Sequence, residues 1–315
     1  MATGKKTALM SRKTPGGVWN VEDQSLSTGD RYFVGSTVTA ASDATTHGAS
    51  PDRPFATIDY AVGQSTASQG DIIYVMPGHV ETVASAAALD FDVAGIKVIG
   101  LGWGDSRPKV QLSANLSTVE FNADDMWVEN IIFEGTFATG VAVGLDIKTG
   151  CDDLTLKNCV IRGTAAANEL LQAVTIEATN SFITFEGCEF TEYVGDATAC
   201  VTAEGAFYDL RFIDCYFNGT WDTACLNLNA AAVTTQGLYM QDCTIINHHA
   251  TGGAAVTLDD TTIAQFLRVN TFCVQSNTLP LLANDDGGSL GIQCYGTDLL
   301  GTSGIAWPAT ATVWT

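Results

Sequence analysis

A repeat of about 28 residues is the feature of this sequence that most restricts its fold. The segment LTLKNCVIRG recurs with the same order of polar and apolar positions, and each copy begins 27 to 29 residues after the previous one. Units of this size stack into a solenoid, because one unit alone cannot bury its apolar face. The six copies begin at Met126, Leu154, Ile183, Leu210, Leu238 and Phe266.

Each copy of the repeat has the pattern of two short strands that meet at a bend. In the second copy, Leu154 and Leu156 are expected to face inward, Asn158 to turn the chain, and Cys159 and Ile161 to face inward again. Apolar residues at every second position are typical of strands with one buried face. The bend position holds residues that accept left-handed or bridging backbone angles, namely Asn130, Asn158, Gly187, Asp214, Asp242 and Asn270.

The position after the bend is dominated by cysteine in four consecutive copies. A spacing of one coil would just allow disulfides between them. However, the chain has an odd total of nine cysteines and no CxxC pair, a usage that favours reduced thiols in a protein made in a cytoplasm. We therefore predict that four stacked cysteines fill the core, namely Cys159, Cys188, Cys215 and Cys243.

A third strand is predicted between successive copies. It is seen in the segments GLDIKT, AVTIEA, CVTAEG, CLNLNA and AVTLDD. Three strands per coil, each paired with its equivalent one coil away at about 4.8 Å, describe a parallel solenoid. The sequence therefore predicts an all-β, single-stranded parallel β-helix over residues 50–300. The links between strands are too short to hold the helices of a doubly wound α/β sheet.

The two ends of the chain depart from the repeat. The segment SPDRPFATIDYAVGQ predicts a short helix at about residues 55–66, with Thr57 as its cap and an apolar face that covers the open end of the first coil. Residues 1–49 are predicted to form a separate arm. The apolar, β-prone segment 301–315 is predicted to close the last coil or to pair with a neighbouring chain.

Charge is distributed unevenly along the chain. The net charge is −21, which disfavours binding to nucleic acid, and no apolar run is long enough to cross a membrane. The N-terminus lacks the apolar stretch of a secretory signal. We predict that a basic arm, together with Trp19, anchors the chain to a partner; the alternative is a solvated tail. Its basic residues are Lys5, Lys6, Arg12 and Lys13.

The order of these segments resembles a known superfamily. PFATIDYAV, then GDIIYVMPGHVE, then repeats with a polar bend followed by an inward cysteine are similar to the pectate-lyase-like right-handed parallel β-helix proteins, over about residues 50 to 275. The resemblance implies a right-handed solenoid. It leaves the function open, because the superfamily includes polysaccharide-degrading enzymes as well as bacteriophage tailspike and capsid-decoration proteins.

Acidic pairs at one predicted corner are the candidate catalytic residues. A lyase of this superfamily would be expected to carry carboxylates for calcium, with a basic residue beside them. Asp124 with Asp125 and Asp152 with Asp153 lie 28 residues apart and should stack, and Lys148 and Arg162 are near them in the sequence. The competing interpretation, which we favour, is that these aspartates form turns and that the chain uses no cofactor and no metal.

Three tryptophans are predicted to lie on the surface. Trp127 falls between two inward residues and should point outward, and Trp103 and Trp221 could line the same side. An exposed tryptophan is usually covered by a sugar or by another protein chain. We predict contact with protein.

Two function classes remain. The first is a non-catalytic bacteriophage virion protein, a capsid decoration or spike, assembled in the host cytoplasm as a homotrimer and attached to capsid or tail proteins. A host-surface glycan is a further possible partner. The second is a polysaccharide-active enzyme, a calcium-dependent lyase rather than a hydrolase. Short links between strands and the lack of matched catalytic motifs favour the first class.

Overall fold

The structure, a computed structural model, describes residues 29–192, 197–228, 236–250 and 252–258. Outside these ranges it describes the backbone of six short strand segments. Asn270, Lys5, Lys6, Arg12, Lys13 and Trp19, which the sequence analysis singled out, lie outside the described side chains, as does most of the segment 301–315.

Three long sheets run along the described chain, and they confirm the predicted parallel β-solenoid. Most coils contribute one strand to each sheet in turn. Sheet 1 contains Arg31–Val34, Ile72–Val75, Lys97–Gly100, Trp127–Glu129, Thr155–Lys157, Asn180–Ser181, Thr184–Glu186, Phe207–Ile213 and Gln236–Gln241.

Sheet 2 follows sheet 1 across the bend, and sheet 3 completes the coil. Sheet 2 contains Val80–Val83, Lys109–Leu112, Ile132–Gly135, Val160–Gly163, Glu189–Thr191, Tyr216–Gly219, Thr244–Asn247, Phe272–Gln275, Tyr295–Thr297 and Gly304–Ile305. Sheet 3 contains Leu89–Phe91, Val119–Phe121, Leu145–Ile147, Gln172–Ile176, Ala197–Ala203, Trp221–Leu228, Ala254–Leu258 and Leu282–Ala283. The sheet pairs are parallel except the last one, between Tyr295–Thr297 and Gly304–Ile305.

The bends between sheets 1 and 2 have the left-handed backbone that the sequence predicted. Their φ angles lie between 51° and 61°. Each bend also donates a backbone hydrogen bond to the next coil: the Asn130 N–H donates to the Lys157 carbonyl at 3.0 Å, and the Asn158 N–H donates to the Glu186 carbonyl at 2.8 Å. At Gly187, a Cβ would lie 2.6 Å from Asn158 Oδ1, so a larger residue there would displace that side chain. The described bend residues are Asn130, Asn158, Gly187, Asp214 and Asp242.

The stacked cysteines lie in the core as free, buried thiols. Each thiol after a bend donates to a backbone carbonyl of the preceding coil, as from Cys188 to Leu156 at 3.3 Å and from Cys215 to Phe185 at 3.3 Å. Burial raises the pKa of the Cys188 and Cys215 thiols. Both observations support the predicted core-filling role.

Aromatic residues stack next to the cysteines. The rings of Phe185 and Phe212 are 5.1 Å apart with an interplanar angle of 11°, and those of Phe190 and Phe217 are 4.7 Å apart at 5°. Because the register repeats from coil to coil, equal side chains meet along the axis. The core is therefore a set of parallel columns.

A single short α-helix caps the described solenoid. It spans Ile58–Gln64, within the predicted range, and the Thr57 side chain accepts a hydrogen bond from the Tyr60 N–H. Ile58, Ala61 and Val62 are buried against the first coils. Gly104–Ser106 forms one turn of 3-10 helix. No helix in the described residues is long and apolar enough to cross a membrane.

The solenoid begins before the boundary predicted at residue 50. Arg31–Val34 is a strand of sheet 1 and pairs in parallel with Ile72–Val75. The segment 1–49 thus includes one strand of the solenoid, and within it Met10–Ser11 pairs with Asn20–Val21 in an antiparallel ladder.

The prediction that Trp221 lies on the surface was wrong. Its side chain is fully buried, at the start of a strand of sheet 3. The buried Asn247 amide fixes this position, since its Oδ1 accepts from the Trp221 N–H at 3.1 Å and its Nδ2 donates to the Trp221 carbonyl at 3.0 Å. Gly219 leaves room for the indole, as a Cβ there would lie 2.6 Å from the ring.

The columns of side chains should carry much of the stability. We expect Phe212→Ala to lower the free energy of unfolding by about 3–5 kcal/mol, because it leaves a cavity between Phe185 and Phe217. Tyr208→Ala in the same strand is the matched control, since Tyr208 is 44% exposed, and it should change the value by less than about 1 kcal/mol. Guanidinium denaturation measures both. If Phe212→Ala and Tyr208→Ala lowered the free energy of unfolding equally, the columnar core would be contradicted.

Candidate functional site

The four aspartates predicted as a catalytic corner do stack on successive coils. The Asp152 N–H donates to Asp124 Oδ1 at 3.0 Å, and the Ser181 N–H donates to Asp152 Oδ1 at 2.7 Å. Asp125 and Asp153 have φ angles of 56° and 55°. Asp124 and Asp152 thus bind the backbone of the next coil, and Asp125 and Asp153 form left-handed turns.

Carboxylates at this corner also repel one another. The pKa of Asp153 is raised by desolvation and by the charges of Asp125, Asp152 and Asp124. Within the described ranges, no group of three or more His, Cys, Asp or Glu residues has an arrangement that could hold a metal ion. The backbone hydrogen bonds and the φ angles give the corner the geometry of a stack of turns.

Lys148 is engaged in two ion pairs beside this corner. Its Nζ lies 2.6 Å from Glu177 Oε1 and 3.0 Å from Asp146 Oδ2. The hydrogen bond to Glu177 raises the pKa of Lys148, and Lys148 in turn lowers the pKa of Glu177. A lysine held in its charged form is poorly suited to accept a proton as a general base.

Arg162 lies on a different side of the solenoid from the aspartates. It is on sheet 2, where its guanidinium bonds Glu134 Oε2 through Nη2 at 2.8 Å and through Nε at 3.2 Å. Gln111 Nε2 donates to the other oxygen of Glu134 at 2.9 Å. The structure therefore does not bring Arg162 together with the aspartate corner, although it is near in sequence.

Trp127 points outward from sheet 1, as predicted, but side chains of this chain cover it. Lys97 Nζ and Lys157 Nζ each lie 5.6 Å from the centre of its ring, and its Nε1 donates to Glu129 Oε2 at 3.0 Å. Cation–π contacts of this kind stabilise an exposed aromatic ring. A bound partner is not required to explain this tryptophan.

Trp103 is 90% exposed, and it borders a polar groove on the outer face of sheet 2. The groove consists of two depressions of about 670 Å³ and 610 Å³, which share Arg162 and Glu189. We call it the sheet 2 groove. Its first depression is lined by Arg162, Gly163, Thr164, Glu189, Thr191, Glu192, Asn218, Thr220 and His248.

Glu192 is the chemically unusual residue of the sheet 2 groove. It is 9% exposed; its Oε1 accepts from the Leu170 N–H at 3.1 Å, and the backbone of Gly163 is a second hydrogen-bond contact of the carboxyl group. Burial, followed by the charge of Glu169, raises the pKa of Glu192 to about 8. The side chain is therefore mainly a neutral carboxylic acid at pH 7, and it can donate a hydrogen bond.

Sequence reasoning missed the sheet 2 groove. Glu192 follows a strand in ITFEGCEFTE, where glutamates also occupy exposed positions. His248 lies on the other side of the groove, where its Nε2 is 2.8 Å from Asn218 Oδ1. These two residues are 56 positions apart. The strand register aligns Thr191 with Asn218 and Asn218 with Ile246. It therefore places Glu192 level with Asn247 rather than His248, and alternation along the strands does not predict the pair.

Glu192 should make stability depend on pH. Its pKa is raised in the folded protein from the ordinary 4.5 to about 8, so the folded state holds a proton that the unfolded state releases. The free energy of unfolding should therefore fall as pH rises from about 5 to about 8, by a few kcal/mol at most (~1.4 kcal/mol per pKa unit).

The check is urea denaturation at several pH values. Glu192→Gln should flatten this part of the profile, because glutamine does not ionise. Glu189→Gln, at an exposed position of the same groove, should leave the profile unchanged. If the free energy of unfolding depended on pH equally in wild type and in Glu192→Gln, Glu192 would not be the residue that binds this proton.

Comparison with known proteins finds likenesses among solved structures. A pectin methylesterase in complex with a hexasaccharide is 14% identical over 85% of this chain and 84% of that chain, with a TM-score of 0.47. A rhamnogalacturonan lyase is 14% identical over 78% of this chain and 74% of that chain, with a TM-score of 0.49. ORF18 of Geobacillus virus E2 is 13% identical over 85% and 61% of the two chains, with a TM-score of 0.37. No family model and no curated protein matches the sequence.

Proposed function

We propose that this chain is a non-catalytic structural component of a bacteriophage virion, a capsid decoration or spike that presents a rigid β-solenoid. The main support for the proposal is the set of hydrogen bonds that the corner aspartates accept. Asp124 and Asp152 accept backbone N–H groups of the following coil. The residues that a lyase would use for a cation serve here to join one coil to the next.

The short links between strands support the same function. From Ile72 to Leu258, each link between consecutive strands holds at most nine residues, as in 136–144 between sheets 2 and 3. Enzymes usually build the walls of an active-site cleft from longer loops on a rigid scaffold. A smooth rod instead exposes flat sheet faces, along which copies of the chain can associate as a homotrimer.

The N-terminal arm is proposed as the attachment to the capsid or tail. Lys5, Lys6, Arg12 and Lys13 are basic, whereas the whole chain carries a net charge of −21. A basic arm suits an acidic partner surface, and the net negative charge of the chain favours its solubility.

Particle attachment tests the proposal directly. Removal of residues 1–28 leaves the first strand of sheet 1, Arg31–Val34, in place, so the rod should fold and keep the circular dichroism of the full chain. We expect the shortened chain to be lost from purified particles assembled without the wild-type chain. Retention on the particle would contradict the role of the arm, and absence of the full chain from particles would contradict the virion role.

A calcium-dependent polysaccharide lyase is the second candidate. It is favoured only by the stacking of four carboxylates at one corner. Incubation with polygalacturonate and calcium, followed by ultraviolet absorbance of the unsaturated product, tests it. The virion proposal predicts no product. Turnover that is lost in Asp124→Ala or Asp152→Ala would overturn the non-catalytic assignment.

A further inference from the structure

The links from sheet 2 to sheet 3 form an edge of the solenoid that is almost free of charge. The first four links span residues 84–88, 113–118, 136–144 and 164–171, and Glu169 is their only charged residue. Charged residues make up 16% of the whole chain, so links of average composition would carry several. We call the surface formed by these four links the link edge.

Polar side chains of the link edge bond one link to the next. Asn115 Nδ2 donates to the Gly140 carbonyl at 3.0 Å, which joins the second link to the third. Asn168 Nδ2 donates to the Thr136 carbonyl at 3.1 Å, which joins the fourth link to the third. These amide nitrogens are therefore already bonded within the edge.

Backbone hydrogen bonds also hold the links together. The Ala142 N–H donates to the Asn115 carbonyl at 2.8 Å, the Val141 N–H to the Glu169 carbonyl at 2.9 Å, and the Leu171 N–H to the Val141 carbonyl at 2.8 Å. A surface that is ordered before it binds loses little conformational entropy on binding. The link edge has this property, because its links are bonded to one another along the rod.

Apolar side chains are exposed on the link edge. Leu116 is 69% exposed in the second link, and Phe137 of the third link is partly buried and packs against the core. An ordered apolar surface without charged side chains is typical of the buried centre of a protein interface. The exposed alanines of the edge are Ala84, Ala86, Ala87, Ala88, Ala138, Ala165, Ala166 and Ala167.

The charge of the chain indicates which partner fits this surface. Two copies that each carry a net charge of −21 repel one another wherever their carboxylates meet. The face of sheet 3 beside the link edge carries Asp90, Glu120 and Asp146 in register on successive rungs. A basic partner would be attracted to such carboxylates, whereas a second copy of this chain can approach closely at the link edge.

We propose that the link edge is the surface through which copies of this chain associate. The inference rests on the homotrimer of the proposed function and names the contact within it. In a cyclic assembly, the same residue of each copy lies at the same height along the symmetry axis. Leu116 of each copy would therefore pack against Leu116 of the others, with the carboxylates of sheet 3 at the rim.

Sedimentation velocity of the full chain tests the proposal. Wild type should sediment as a trimer. Leu116→Asp would bring like charges together at the common axis, so this variant should sediment as a monomer, with association weakened about tenfold or more. Ala166→Asp changes a second exposed position of the edge and should act in the same way. Circular dichroism checks that both variants keep the fold of wild type.

Phe182→Asp is the matched control, because it removes an exposed apolar side chain from a different corner of the rod. Phe182 is 50% exposed and has a φ of 58°. Asp153 and Asp209 hold the equivalent position in the neighbouring coils, with φ angles of 55° and 60°. The position therefore accepts aspartate, and Phe182→Asp should sediment as a trimer like wild type.

The possible outcomes separate this inference from the proposed function. If wild type, Leu116→Asp and Ala166→Asp all sediment as trimers, the copies associate elsewhere, and the inference is overturned while the homotrimer stands. If Phe182→Asp dissociates as readily as Leu116→Asp, the effect is not specific to the link edge, and the inference is again overturned. A monomeric wild type would contradict both the link-edge contact and the homotrimer, and particle attachment would still test the virion role independently.

Discussion

The backbone hydrogen bond from each bend to the next coil is the interaction on which the rest of this structure depends. At Asn130, Asn158, Gly187 and Asp214, the left-handed residue that follows a strand of sheet 1 donates its N–H to the carbonyl that precedes the next bend, as from Asp214 to Gln241 at 2.8 Å. This bond holds consecutive bends directly above one another. Since the bends are aligned, the strands on both sides stay in register, and equal side chains meet in the core.

The same alignment explains what the sequence could and could not predict. A bend needs a residue that accepts positive φ, so Asn158 and Asp214 identify it, and the stacked cysteines follow by simple alternation. The burial of Trp221 could not be predicted in this way, because Trp221 begins a longer strand that lies outside the two-strand repeat. Its burial depends on Asn247, a polar residue whose amide bonds are visible only once the two coils are placed together.

The two candidate sites also differ in how far the sequence predicts them. The stacking of Asp124 on Asp152 was predictable from their 28-residue spacing. The role of these aspartates in turns became clear only from the hydrogen bonds, because their oxygens accept from backbone N–H groups of the next coil. The sheet 2 groove was not predictable, because Arg162, Glu192 and His248 come from different coils and have no common motif. In a solenoid, a site on the outer face is assembled by stacking, and its residues carry no local signature.

If the corner carboxylates join coils rather than hold a cation, thermal unfolding of the double variant Asp124→Asn, Asp152→Asn should show it. Asparagine keeps the Oδ1 acceptor for the N–H groups of Asp152 and Ser181. We expect the variant to melt within a few degrees of wild type and calcium to leave both melting temperatures unchanged. A rise in the melting temperature of wild type with calcium, lost in the variant, would contradict it.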